Sequence, residues 1–230
     1  STPVNSSTCV ISLSTSTGTA DYVDPVANVT RIQRTTVNVS TVTQLTSAIA
    51  NATAGTTIQL AAGTYSGSVA VNRTFAAADA LIIKGAANFA SIATGTWTMT
   101  GARQIVTGIK FSGGGKVIPA GINNKVIGNQ FTGWVGKAVS PARNSSQCEI
   151  AYNEMYSPAV WNYTWVNDGV TEFRMGIRTT DDGVSDFHYN GWAHHNYFHD
   201  FPDKPVLDQY HSGQSDAIEI GEDNGGTYPS

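Results

Sequence analysis

One short pattern recurs along the chain: an apolar residue, Asn three positions later, and a large apolar residue two positions after that. It reads as Val126, Asn129, Phe131 in Val-Ile-Gly-Asn-Gln-Phe, and as Ile150, Asn153, Met155 in Ile-Ala-Tyr-Asn-Glu-Met. It reads again as Ala193, Asn196, Phe198 in Ala-His-His-Asn-Tyr-Phe. A degenerate copy is Val106, Ile109, Phe111. From Ile109 onward the middle position recurs after 20, 24 and 43 residues, the last close to two periods. A period of this length in β-rich units marks a solenoid, each period being one unit that buries its apolar face against its neighbours. The expected fold is all-β: a right-handed parallel β-helix with a short N-terminal capping helix. Asn129, Asn153 and Asn196 would stack at one bend, each amide bonding to its copies. Phe131, Met155 and Phe198 would stack inside.

Composition narrows the function classes. Charged residues make up only 13% of the 230, which does not suit a helical bundle or coiled coil. The formal net charge is −4, so there is no basic field for nucleic acid, and a polyanion would need a locally basic cleft. No run of 18 apolar residues is present, so no membrane span is expected. Secretion fits the N-x-S/T sequons at Asn5, Asn28, Asn38, Asn51, Asn72, Asn144 and Asn162, which matter only in a eukaryotic host. Cys9 and Cys148 allow either a bridge from the N-terminal arm to a coil or two buried thiols.

Residues 1–40 read as an N-terminal arm and 41–230 as the β-helix domain. Thr41-Val-Thr-Gln44 has the form of a capping box, and Val42, Leu45 and Ile49 follow at helical spacing. A helix over about 41–52 would cover the open end of the first coil, whose backbone is otherwise an exposed edge. Thr57, Ile58 and Leu60 make a strand, with a turn at Gly63. The run Ala-Gly-Thr-Tyr65 resembles the opening of secreted right-handed β-helices. Leu81-Ile-Ile-Lys-Gly85 is the next coil, and Trp97-Thr-Met99 the one after. Residues 157–191 break the rhythm, suggesting one irregular coil around Phe173–Arg178 with long loops, the usual place for binding groups on a rigid scaffold. Trp161, Tyr163 and Trp165 there suit stacking on sugars or packing under the loop.

All five histidines, His188, His194, His195, His199 and His211, fall in one short stretch with Tyr189, Tyr197, Tyr210 and Lys204. Their spacing fits no zinc motif, and on a regular strand His194 and His195 point to opposite faces.

His195-Asn-Tyr-Phe198, then Lys204-Pro-Val-Leu, then Gln214-Ser-Asp-Ala-Ile-Glu-Ile-Gly221 together resemble polysaccharide lyase family 6, which contains alginate lyases and chondroitinase B. The resemblance runs back more weakly to about residue 40. In the last motif Asp216 stands where the family has Glu, and Glu219 where it has Arg. The resemblance implies β-elimination on an anionic uronic-acid polymer, alginate first. The carboxylate beside the C5 proton is neutralised, often by Ca²⁺, a base removes the proton, and an acid protonates O4. It also implies an amide calcium ligand just ahead of that motif, at Gln214 or, one residue earlier in register, Gly213; Asp216 would add an oxygen or only cap the bend. The family's catalytic Lys and Arg lie in coils that would follow Ser230. The expectation is therefore a partial fold, the N-terminal part of a longer protein or of one cleaved to leave a separate C-terminal fragment, and poorly behaved alone. Otherwise the chemistry falls to His195, Lys204, Tyr210 and His211. Arg174, Arg178, Tyr197 and His199 are the substrate-binding candidates. Two other functions compete. One is a glycoside hydrolase of the polygalacturonase type, suggested by Asp181-Asp182, although adjacent aspartates on a strand diverge. The other is a non-catalytic carbohydrate-binding or adhesion module.

Overall fold

A computed structural model describes residues 34–76, 79–134, 137–142, 145–157 and 190–200, with strand backbone at 175–178 and 218–219. Nineteen strands and one α-helix are assigned among them. A first strand, β1 (Thr35–Val39), leads into the helix α1 (Val42–Ala50). Six coils follow, each of three short strands. The first is β2 (Thr56–Leu60), β3 (Gly63–Tyr65) and β4 (Val69–Val71); the second is β5 (Leu81–Lys84), β6 (Ser91–Ala93) and β7 (Thr96–Met99). The third is β8 (Gln104–Thr107), β9 (Lys110–Phe111) and β10 (Lys116–Pro119); the fourth is β11 (Lys125–Ile127), β12 (Gln130–Thr132) and β13 (Lys137–Val139). The fifth is β14 (Ser146–Ala151), β15 (Glu154–Tyr156) and β16 (Met175–Arg178); the sixth is β17 (Asn190–His194), β18 (Tyr197–His199) and β19 (Ile218–Glu219).

Every third strand pairs in parallel. One sheet runs β1-β2-β5-β8-β11-β14-β17, a second β3-β6-β9-β12-β15-β18, and a third β4-β7-β10-β13-β16-β19. This is a parallel β-helix. Side chains alternate in and out, so each inward position stacks on its copy one coil away. Ile58, Ile83, Val106, Val126 and Ile150 form one buried column in the first sheet. Phe111, Phe131 and Met155 form another in the second sheet, with Phe198 next in register. The Phe111 and Phe131 rings stack at 4.9 Å, and Trp97 meets Phe111 edge-on at 5.5 Å. Burying each such side chain contributes roughly 1.5–3 kcal/mol, so the columns supply the driving force for coiling.

The asparagine ladder forms as its spacing implied. Asn129 Oδ1 accepts from Ile109 N, Asn153 Oδ1 from Asn129 N, and Asn196 Oδ1 from Asn153 N. Each Nδ2 donates to a carbonyl one coil earlier: Asn129 to Val106, Asn153 to Val126, Asn196 to Ile150. The residue before each rung adopts a left-handed conformation: Gly108, Gly128, Tyr152 and His195, with φ of 68°, 63°, 56° and 52°. A second corner has the same construction. Asn124 Oδ1 accepts from Gln104 N, and Nδ2 donates to Met99 O and Gly101 O. Arg103, Asn123 and Gln147 supply its left-handed column.

α1 is capped as its sequence implied: the Thr41 side chain accepts from Gln44 N, and Gln44 Oε1 from Ser40 N. It buries Leu45 and Ile49 and packs against β1, β2 and β4, covering the first coil. No helix among the described residues is long and apolar enough to cross a membrane.

Three readings of the sequence change. Trp97–Met99 belongs to the same coil as Leu81–Lys84, because β5, β6 and β7 are its three sides. The 43-residue step is a single coil: Ala193 pairs directly with Ile150, and Met175–Arg178 is the third side of the fifth coil, with insertions on either side. Gly63 opens β3 instead of making the turn. Cys148 is buried, and burial raises its thiol pKa; Cys9 lies outside the described residues.

Candidate functional site

The exposed large aromatics of the described residues, Tyr152, Trp192 and Tyr197, all lie in the fifth and sixth coils. They flank the asparagine bend, where the first sheet turns into the second. Aligning the repeats on Asn orders this surface. Position −4 carries Lys125, Glu149 and Trp192; position −1 carries Gly128, Tyr152 and His195; position +1 carries Gln130, Glu154 and Tyr197; position +3 carries Thr132, Tyr156 and His199. At position −1 the third and fourth coils hold glycine, Gly108 and Gly128, where the last two hold Tyr152 and His195.

On the first sheet, Glu149 Oε2 accepts from Lys125 Nζ at 2.5 Å, while Oε1 lies 3.2 Å from His194 Nε2. The hydrogen bond from Lys125 is the largest of the influences holding the Glu149 carboxyl below its usual range; His194 adds to it and partial burial opposes it. His194 Nδ1 lies 2.7 Å from His195 Nδ1. The expectation that these two side chains diverge is corrected. His194 ends β17, but His195 sits in the left-handed bend after it, and the turn swings its ring back beside its neighbour. Tyr152, one coil earlier in that bend, stacks beneath His195 at 5.0 Å and meets His194 edge-on at 5.6 Å.

On the second sheet, His199 Nε2 lies 3.1 Å from Glu154 Oε1 and its Nδ1 3.0 Å from Asp200 Oδ2. Desolvation works to lower the His199 pKa, but the two carboxylates together outweigh it and raise the pKa above the ordinary imidazole value. Glu154 Oε2 also accepts from Gln130 Nε2 at 2.6 Å. Tyr156 and Tyr197 stack on the His199 ring at 5.0 and 4.6 Å. The three rings form one aromatic stack on the second sheet beside the bend.

The structure thus brings His195, Tyr197 and His199 onto neighbouring faces of one bend. Arg178 ends β16 on the third sheet. Arg174, Lys204, Tyr210, His211, Gln214 and Asp216 lie outside the described residues, as do Asp181 and Asp182. Among the described residues no group of three or more His, Cys, Asp or Glu side chains is placed to hold a metal ion. Sequence reasoning missed Lys125, Glu149, Tyr152, Glu154 and Tyr156. Their signal was present in their offsets from each Asn, which had served only to find the ladder.

No protein-family model and no curated protein matches the chain. Among solved structures it is similar to the alginate lyase from Paenibacillus sp. str. FPU-7, with a TM-score of 0.54 and 22% sequence identity over 82% of this chain. The likeness is one of fold. The chain spans 58% of the length of that lyase.

Proposed function

We propose that the surface of the fifth and sixth coils binds a uronic-acid polymer, alginate first, and cleaves it by β-elimination outside the cell. The observation that carries this reading is the crowding of tyrosine, tryptophan and imidazole side chains at the bend of the last two coils, on a fold shared with an alginate lyase. Elimination needs a base near neutral pKa at C5, an acid for O4, and relief of the charge on the adjacent carboxylate. Imidazoles meet the first need. The aromatic stack of Tyr156, His199 and Tyr197, with Trp192, would hold sugar rings. Arg174 and Arg178 would pair with uronate carboxylates, and Lys204, Tyr210 and His211 are further proton-transfer candidates. A Ca²⁺ ion at Gln214 and Asp216, proposed on the family resemblance alone, would neutralise the substrate carboxylate when bound.

The test is to incubate the chain with alginate, following both new reducing ends and the ultraviolet absorbance of a conjugated C4=C5 double bond. The two are expected to rise together, with rates falling by about 10²–10⁴ in His195→Gln. Reducing ends without the chromophore would make the protein a hydrolase. Retention on the polymer with neither signal would make it a binding module.

A further inference from the structure

Resting on that reading, we propose that Glu149 and His194 are positioning residues that fix the tautomer of His195, leaving its Nε2 as the unprotonated nitrogen that takes the substrate proton. The chain of contacts admits few proton arrangements. Glu149 offers only acceptor oxygens when ionised, and Lys125 occupies one of them. The other faces His194 Nε2 at 3.2 Å, so that nitrogen carries the proton. With both rings neutral, each has one N–H, so His194 Nδ1 is then an acceptor. His195 Nδ1 lies 2.7 Å away and must donate to it. The same rule leaves the His195 Nε2 lone pair free. His195 is exposed, and its ring plane is set by Tyr152 stacked at 5.0 Å and 16°.

The backbone points the same way. The bend holds glycine at Gly108 and Gly128 but Tyr152 and His195 in the last two coils, all at positive φ. A non-glycine residue there costs about 1 kcal/mol or more. The strained conformation is what carries His195 off the strand to meet His194 and Tyr152. In the reaction the C5–H bond breaks and its proton passes to His195 Nε2. The electron pair forms the C4=C5 double bond as the C4–O4 bond breaks, and O4 leaves with the proton returned from the imidazolium.

The experiment is nitrogen-15 imidazole NMR on the full chain near neutral pH, without substrate, for the wild type and Glu149→Gln. The wild type is expected to show His194 protonated at Nε2 and His195 at Nδ1. In Glu149→Gln, Lys125 keeps the amide oxygen, which turns the NH₂ toward His194 Nε2. That nitrogen must then accept, so both tautomers invert. In the same variant kcat on alginate should fall about 10-fold or more with KM little changed. His195 protonated at Nε2 in the wild type overturns the inference, as does an unchanged His195 tautomer in the variant. If Glu149→Gln does not fold, the wild-type spectrum still decides. Because the tautomers are read without substrate, the expected spectrum in an inactive protein overturns the lyase reading and the role as base. The opposite spectrum in an active protein overturns this inference alone.

Discussion

Asn153→Ala is expected to destabilise the chain by about 3–5 kcal/mol, because several buried polar groups lose a partner at once. Asn153 is 1% exposed. Its Oδ1 accepts from Asn129 N at 3.0 Å and Asn129 Nδ2 at 3.1 Å. Its Nδ2 donates to Val126 O at 2.8 Å and Asn196 Oδ1 at 2.9 Å. Truncation leaves the Asn129 backbone N–H without its acceptor between two coils. Asn129 Nδ2 keeps Val106 O, and Asn196 Oδ1 keeps Asn153 N, so the loss is less than the full sum. Asn153→Asp keeps the shape but sets a carboxylate oxygen against Val126 O, and should cost at least as much. Asn196→Ala, at a half-buried rung, should cost about half. Urea denaturation of the three variants checks the order. A loss below about 1 kcal/mol for Asn153→Ala would mean that the rungs are held by packing alone.

Gly121→Ala is expected to be among the most damaging single-methyl additions in the described coils. A Cβ at Gly121 would lie 1.9 Å from Gly101 O and 2.9 Å from Thr100 O, both backbone atoms of the coil before. The two coils are tied in turn: Gly101 O accepts from Asn124 Nδ2, Gly101 N donates to Val71 O, and Gly121 O accepts from Ser146 N. Neither coil can shift without breaking its pairing, so the cost should exceed about 3 kcal/mol, beyond ordinary overpacking. Gly113 gives the control. It has φ of 57° but no atom within 4 Å of its Cβ position, so Gly113→Ala should cost only about 1–2 kcal/mol of backbone strain. Thermal melting of both variants separates close approach from conformational freedom. Equal losses would contradict the account.

The sequence made the coil legible wherever a side chain does the same work in each turn. Asn129, Asn153 and Asn196 must all bond along the axis, so their spacing announced the period. Trp97 carried no such mark. The first two coils hold no Asn at the bend, and without a rung to count from, the third side of one coil passed for a new one. Asn124, twenty residues after Gln104, was equally readable but lacked a third copy, because Cys148 follows it in that column. The site was harder to see for a different reason. Glu149 and His194 are 45 residues apart in sequence because one coil carries long insertions, and they touch because β14 and β17 pair as neighbours. The histidine cluster was visible, but its carboxylate partners sit in the preceding coil. The meeting of His194 and His195 depends on one left-handed residue, which strand alternation does not foresee.

The most direct measurement is backbone-amide NMR of His195→Gln, kept from turning over substrate, during titration with a saturated oligouronate. The account predicts that shifts concentrate at Tyr152, Tyr156, Trp192, Tyr197 and His199, along the bend of the fifth and sixth coils. Shifts confined to β1, α1 and the first coil, or none at saturating ligand, would contradict it.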